Sequence, residues 1–268
     1  MKSRSHCTIS VLGCFVLLLF AVPQVCSQNA APRAVHVFVS LADNQNQGIV
    51  PVPARLGNGF DPVHNLYWGA EAGVKTFIQR SADWMLLACA AKPNSYVLER
   101  CIFKHRSADV FLVADAYRGN EIKQAILDFF DAAAGGTPET ITVGFDQHPI
   151  SISARGGSSL VAYVGHDGLM DFQLPVVPRK RDDIHRDVII LACASKQYFT
   201  EPLKTSRAYP LLWTTNLMAP EAYTLKAALD GWIAGENGDR IRDRAAVAYD
   251  KYQKCGLRGA RRLFATGW

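Results

Sequence analysis

The sequence lacks several short motifs that mark common enzyme classes. It has no Gly-x-Ser-x-Gly elbow, no Gly-x-x-x-x-Gly-Lys phosphate loop, no Cys-x-x-Cys pair and no His-Glu-x-x-His helix. These absences argue against an elbow-type serine hydrolase, a P-loop nucleotide enzyme, a thioredoxin-like redox protein and a helix-based zinc peptidase. The histidines are scattered without the spacing of a named metal site, so we predict no metal and no cofactor.

A strong excess of charge is also missing. Charged residues make up 20% of the chain, with 29 basic and 24 acidic side chains. Two of the basic residues lie among the first 27 positions, so the remainder carries 27 basic and 24 acidic residues and a net charge of +3. This balance is too mild to predict a nucleic-acid partner. No internal repeat or low-complexity tract divides the remainder, which indicates a single globular domain over residues 28–268.

The first 27 residues have the pattern of a secretory signal peptide. Lys2 and Arg4 precede an uncharged apolar run over residues 8–22. Small and medium-sized side chains at residues 25–27 then form a predicted cleavage site after Ser27. The apolar run has about fifteen residues, whereas a membrane-spanning helix needs roughly 20. The alternatives are an uncleaved membrane anchor and a lipoprotein processed at Cys26. We expect an exported protein, periplasmic or secreted, with no membrane span after removal of the signal.

The cysteines are few and allow only a small set of disulfides. Three of the seven lie in the signal segment, which leaves Cys89, Cys101, Cys193 and Cys255. In an oxidising compartment these four permit three pairings. Cys89 and Cys101 flank a turn at residues 92–95, which favours a bridge between them. Cys193 then stays free or pairs with Cys255, and a bridged Cys193 could not act as a nucleophile.

Strand and helix patterns alternate along the chain. Strands are predicted over residues 34–41, 96–103, 110–114 and 209–217, with a hairpin of residues 141–145 and 150–154. Helices are predicted over residues 66–91 with a break near Ser81, from residue 121 to Gly135, from Pro220 onward, and over residues 239–254. The alternation predicts an α/β fold, with a mostly parallel sheet flanked by helices on both faces.

Two apolar runs each end at a reactive side chain. The first is Val161-Ala-Tyr-Val-Gly-His166-Asp-Gly168, and the second is Val188-Ile-Ile-Leu-Ala-Cys193-Ala-Ser195. Buried parallel strands have this apolar character, and they deliver side chains to the carboxyl edge of a sheet. A histidine and a cysteine brought to one edge suggest a nucleophile and its base.

These segments resemble the caspase-like clan of cysteine peptidases, which includes legumains, gingipains, clostripains and metacaspases. Val164-Gly165-His166 resembles the strand end that carries the clan's catalytic histidine, and Ala192-Cys193-Ala194-Ser195 is similar to the nucleophile segment of the legumain branch. The resemblance implies a caspase-like three-layer sandwich. Residues 65–70 and 217–223 also resemble uncharacterised exported bacterial proteins.

The resemblance implies a hydrolase that cleaves peptide or protein substrates at an amide bond. Cys193 would attack the carbonyl carbon, and His166 would carry the proton to the departing amine. The backbone N–H groups of Gly168 and Cys193 would bind the oxyanion.

The resemblance also implies a pocket for the side chain that precedes the cleaved bond. Its walls would be Asp43 and Asn44 at the end of the first strand, and Trp213, Thr214 and Thr215 on the strand after the nucleophile. Asp43 would favour a basic side chain if it faces the pocket. The alternative, which we favour, is that Asp43 only caps a turn.

The sequence departs from the clan at Asp167, which stands between His166 and Gly168 where the clan has glycine next to histidine. Asp167 could orient His166 or be a solvated turn residue, and we expect the latter. The 27-residue interval from His166 to Cys193 is also short. The alternative function is a catalytically inactive caspase-like module with an exported binding or structural role, in which Cys193 is a small buried apolar residue.

Overall fold

The apolar runs of the sequence form the strands of one large sheet in a computed structural model that describes residues 32–268. The signal segment and Cys26 lie outside these described residues. In chain order the strands are β1 (Arg33–Ser40), β2 (Trp84–Ala91), β3 (Val97–His105), β4 (Val110–Tyr117), β5 (Glu139–Phe145), β6 (His148–Ala154), β7 (Leu160–Val164), β8 (Asp187–Leu191), β9 (Tyr209–Thr214) and β10 (Phe264–Ala265).

Six α-helices connect or follow these strands in the described part of the chain. They are α1 (Val74–Arg80), α2 (Ile122–Ala133), α3 (Ser195–Ser206), α4 (Ala222–Ile233), α5 (Gly238–Gln253) and α6 (Leu257–Leu263). Within residues 32–268, none of the helices combines the length and the apolar character needed to cross a membrane.

The main sheet has eight strands in the order β10-β9-β8-β7-β1-β4-β3-β2. Its centre is parallel, because β1 pairs in parallel with both β4 and β7, and β8 pairs in parallel with β7 and β9. The outer strands β2, β3 and β10 run antiparallel to their neighbours, and β2 and β10 form the two edges of the sheet. The chain adds β4 on one side of β1 and then crosses to add β7 on the other, so the strand order reverses between β1 and β7.

Apolar side chains on both faces of the sheet are covered by helices. One face packs α2 and α3, with Phe129 and Phe199 in the same cluster as Phe38 and Tyr163 of the sheet. The opposite face packs residues of α1, α4, α5 and α6 against β1, β4 and β9. The β5–β6 hairpin covers a smaller cluster of β1, β3 and β4 residues. The predicted α/β class, with a mostly parallel sheet between two helical layers, is confirmed.

The prediction of a helix over residues 66–91 is wrong. Only Val74–Arg80 is helical, and Trp84–Ala91 forms β2, which pairs antiparallel with β3. The segment is rich in leucine and alanine, which favour helices. The tertiary context overrides that propensity, because β3 offers an open edge and Cys89 lies directly opposite Cys101.

Cys89 and Cys101 form a disulfide in the structure, which is the bridge that the sequence favoured. It joins the exposed edge strand β2 to β3, where the Cys101 side chain is fully buried. Cys193 and Cys255 are free cysteines. Cys193 is therefore available for thiol chemistry.

A buried ion network crosses β1, β3 and β4. The fully buried Asp115 carboxylate accepts two hydrogen bonds from Arg100, at 2.6 Å to Oδ1 and 2.8 Å to Oδ2. His36 Nδ1 accepts the Arg155 amide at 2.9 Å, so its Nε2–H donates to Asp115 Oδ2 at 3.1 Å. Although burial opposes ionisation, the Arg100 and His36 contacts lower the pKa of Asp115 to about 2. Burial lowers the pKa of His36, so the imidazole is neutral at neutral pH.

We expect Arg100→Met to lower the free energy of unfolding by about 3–5 kcal/mol, because it leaves the Asp115 carboxylate buried without its cation. Urea unfolding at pH 7 measures this change. Arg106→Met is the matched control: Arg106 is exposed in the turn after β3, and its loss should cost less than about 0.5 kcal/mol. Equal effects of the two substitutions would show that the network does not stabilise the sheet.

Candidate active site

His166 and Cys193 lie at equivalent positions beyond two adjacent parallel strands. The β7–β8 pairing runs from Leu160 opposite Asp187 to Val164 opposite Leu191, and each reactive residue follows the last pair by two positions. The Gly165 amide donates to the Leu191 carbonyl at 3.2 Å, which extends the pairing toward the site. His166 and Cys193 line the same cavity, whose volume is about 320 Å³.

This cavity lies at the carboxyl edge of the sheet, next to the point where the strand order reverses. The loop after β1 and the loop after β9 supply most of its lining, and residues just beyond β7 and β8 supply most of the rest. In open α/β sheets, ligands bind at this edge and at this kind of switch point. The position of the cavity therefore agrees with a binding or catalytic role.

Gly165 allows the chain to leave β7 and present His166. Its φ is +154°, and a Cβ at this position would lie 2.9 Å from the Ser40 carbonyl oxygen. A side chain would therefore collide with the backbone of β1. The Tyr163 hydroxyl also donates to the His166 carbonyl at 2.7 Å, which holds the turn from inside the core.

The His166 ring is buried and hydrogen-bonded to a carboxylate that the sequence analysis missed. His166 Nε2 lies 2.6 Å from Asp171 Oδ2, and the Asp171 side chain is partly exposed. A carboxylate at this distance favours the Nε2–H tautomer and fixes the ring plane. Nδ1 is then the nitrogen that can accept a proton. An aspartate five residues after a histidine is not part of a recognised motif, so the sequence does not predict this pair.

Cys193 sits in a tight turn between β8 and α3. Ala194 adopts the left-handed conformation with φ +47°, and α3 begins at Ser195. Ser195 is buried and fixes this turn: its backbone amide donates to Thr214 Oγ1 at 3.1 Å, and its hydroxyl forms a hydrogen bond with the same oxygen at 3.0 Å. The half-buried sulfur of Cys193 is therefore held at a fixed point of the cavity wall.

The surroundings of Cys193 favour the thiol over the thiolate. Burial raises the pKa of Cys193, and the negative charge of Asp167 raises it further. The Met218 amide donates a hydrogen bond to Sγ at 3.4 Å and lowers this pKa. The net change is upward. A nucleophilic Cys193 therefore needs a base that removes its proton during attack.

Asp167 is not a solvated turn residue, so that expectation is wrong. Its side chain is fully buried, and Oδ1 accepts the Leu169 amide at 3.0 Å. Oδ2 has no hydrogen-bond partner in the described structure. Burial raises the pKa of Asp167 to about 7. The carboxylate bonded to His166 belongs to Asp171, so Asp167 does not orient the ring through a hydrogen bond.

The geometry does not support Gly168 as an oxyanion donor. Its amide donates to the His166 carbonyl at 3.1 Å, and a Cβ at Gly168 would meet Phe172 and Ile122. Gly168 thus packs toward α2 and away from the cavity. The Cys193 amide has no acceptor within residues 32–268 and remains a candidate donor.

Asp43 and Asn44 hold the loop after β1 together and do not line the cavity. The Asp43 carboxylate accepts the Gln45 amide at 2.9 Å and the Asn46 side-chain amide at 2.8 Å. The Asn44 side chain donates a hydrogen bond to the Val52 carbonyl at 2.7 Å and accepts one from the Val52 amide at 3.1 Å. The favoured alternative for Asp43, a turn cap, matches this geometry. A basic specificity through Asp43 has no support.

The three predicted pocket residues of β9 and its end also lie elsewhere. Trp213 and Thr214 are fully buried, and Thr214 Oγ1 donates to the Ala192 carbonyl. Thr215 Oγ1 donates to the Arg262 carbonyl at 2.7 Å. These side chains support the turn that contains Cys193 and the C-terminal segment. The cavity wall begins further along the same loop, from Leu217 to Pro220.

Within residues 32–268, one group of side chains brings potential metal ligands close together. It consists of Cys89, Glu99 and Cys101, whose ligand atoms lie within 4.8 Å of one another. The two sulfurs are joined in the disulfide and are not thiolates. This group therefore offers only one carboxylate to a metal ion.

Comparisons of the chain with protein-family models, with curated proteins and with solved structures find no match. A functional proposal therefore depends on the residues of the cavity.

We expect Asp167→Asn to move the pH profile of Cys193 alkylation to lower pH, because it removes a negative charge that raises the pKa of Cys193. The amide preserves the acceptor for the Leu169 N–H. Iodoacetamide rates at Cys193, followed by peptide mass spectrometry between pH 6 and pH 10, measure the shift. Asp183→Asn changes an exposed aspartate and should leave the profile unchanged; a profile of Asp167→Asn that overlays it would show that Asp167 does not influence the thiol.

Proposed function

We propose that the chain is an exported cysteine peptidase or related amide hydrolase of the caspase-like kind, with His166 and Cys193 as its catalytic pair. The observation that carries the proposal is their shared position: both follow adjacent parallel strands by two residues, and both line one cavity. If His166 and Cys193 served only to pack the core, there would be no reason for both to occupy equivalent positions at one cavity. The caspase-like assignment itself comes from the sequence resemblance.

His166 acts as the base in this proposal. Asp171 accepts the hydrogen of His166 Nε2, which leaves Nδ1 to take the Cys193 proton. Because burial raises the pKa of Cys193, the resting group at neutral pH is the thiol. The proton is transferred as the sulfur attacks, so the rate depends on the neutral form of His166.

The reaction has two stages. Sγ of Cys193 bonds to the carbonyl carbon of the substrate amide, and the thiol proton moves to His166. His166 then gives this proton to the amide nitrogen, the C–N bond breaks, and the amine leaves a thioester on Cys193. A water molecule, deprotonated by His166, then attacks the thioester carbon, the C–S bond breaks to release the carboxylic acid, and His166 returns the proton to Sγ. The Cys193 amide is the candidate donor to the oxyanion.

Export of the protein is supported by two independent features. Residues 1–27 have the pattern of a signal peptide. The Cys89–Cys101 disulfide is of the type that forms and persists in oxidising compartments. A periplasmic or secreted location is compatible with both.

Alkylation by iodoacetamide at pH 7 tests the catalytic pair, with the exposed Cys255 as a reference inside the same molecule. Without a base, the half-buried thiol of Cys193 should react more slowly than the exposed Cys255. If His166 acts as proposed, Cys193 should react faster, and His166→Ala should slow it at least about tenfold without changing the rate at Cys255. Peptide mass spectrometry gives both rates.

His185→Ala is the matched control, because His185 is exposed and also lies near an aspartate, Asp187, at 3.1 Å. It should leave the Cys193 rate unchanged. If Cys193 is slower than Cys255 and indifferent to His166→Ala, the catalytic proposal fails. That outcome would favour the inactive binding or structural module.

A further inference from the structure

The cavity beside His166 and Cys193 has apolar walls. The loop after β1 contributes Ile49, Val50 and Val52, and Leu66, Met170 and Leu217 complete the sides. Its volume of about 320 Å³ is at the lower end of the roughly 300–1,000 Å³ that is typical of small-molecule sites. The space suits one large side chain rather than an extended ligand.

Three of these wall residues expose much of their apolar surface to solvent. The exposed fraction is 84% for Val50, 67% for Leu217 and 42% for Met170. They come from three separate loops, yet they lie around one cavity that also contains a candidate nucleophile. Exposed apolar groups clustered at a concave site are typical of binding surfaces, because a ligand that covers them removes apolar area from water.

No aspartate, glutamate, lysine or arginine side chain lines this cavity in the described part of the chain. Its ionisable groups are His166, Cys193 and Tyr67, and burial raises the pKa of Tyr67 well above its ordinary value. The Asp171 carboxylate is hydrogen-bonded to His166, and Asp171 is not among the residues that line the cavity. A charged substrate side chain would therefore lose its hydration without an ion-pair partner among the side chains that line the cavity.

We propose that this cavity binds the side chain of the residue whose carbonyl Cys193 attacks, and that it selects a large uncharged side chain such as leucine, methionine or phenylalanine. The inference rests on the proposed function. The attacked carbonyl must lie next to the Cys193 sulfur, which is part of the cavity wall. The side chain on the same residue is therefore the one that reaches the cavity.

Peptidyl acyloxymethyl ketones that differ only in the last side chain test this selectivity. Sγ of Cys193 bonds to the methylene carbon and displaces the carboxylate, and the thiol proton passes through His166 to solvent. We expect the leucine and phenylalanine probes to modify Cys193 at least about tenfold faster than the arginine and aspartate probes. Mass spectrometry of the intact protein and of its Cys193 and Cys255 peptides gives the rates.

Val50→Asp provides a second measurement, because it places a carboxylate at the cavity rim on a side chain that is already exposed. It should lower the ratio of the leucine rate to the arginine rate about tenfold. Val176→Asp is the matched control: Val176 is a 71% exposed loop valine outside the cavity. It should leave that ratio unchanged.

The outcomes separate this inference from the proposed function. If the arginine or aspartate probe is fastest, or all four probes react equally, the apolar selectivity is overturned, while His166-dependent alkylation would still support the catalytic pair. If no probe modifies Cys193 faster than Cys255, and His166→Ala has no effect on iodoacetamide labelling, both proposals fail.

Discussion

The parallel register of β7 and β8 is the constraint on which the candidate site depends. A slip of one residue would turn every side chain of a strand to the opposite face of the sheet and separate His166 from Cys193. Packing on both faces prevents this slip. Tyr163 and Ile190 belong to the cluster with α2 and α3, whereas Val164 and Leu191 belong to the cluster on the other face. The hydrophobic core therefore sets the geometry of the two polar residues beyond it.

The parts of the structure that were predictable from sequence have strong local signals. Continuous apolar β-forming runs predict β1, β7 and β8 because strands buried on both faces need no polar alternation. The helical spacing of Ile122, Ile126 and Phe129 likewise predicts α2. His166 and Cys193 were recognisable because each interrupts such a run at its carboxyl end. Their proximity follows from parallel pairing, which is a property of the fold class.

The unpredicted features depend on contacts between segments. β2 has a helix-favouring composition and becomes a strand only because β3 provides a partner edge and a disulfide. The Asp171–His166 bond depends on how the loop after β7 folds back, and the burial of Asp167 depends on the same loop. The cavity walls were expected near Asp43 and Thr215. They lie further along the same two loops, because those nearer residues are used to hold the loops in place.

Desolvation links the chemistry and the selectivity of the proposed site. The same burial that makes the cavity suitable for an apolar side chain also raises the pKa of Cys193. In such surroundings, a thiolate–imidazolium pair is unfavourable before attack unless nearby positive charges stabilise the thiolate. The negative charge of Asp167 destabilises the thiolate instead. In the proposed mechanism, proton transfer to His166 during attack would avoid that cost, since no charge has to persist on sulfur before the attack. A substrate side chain that filled the cavity as proposed would remove further water and strengthen the requirement for the base.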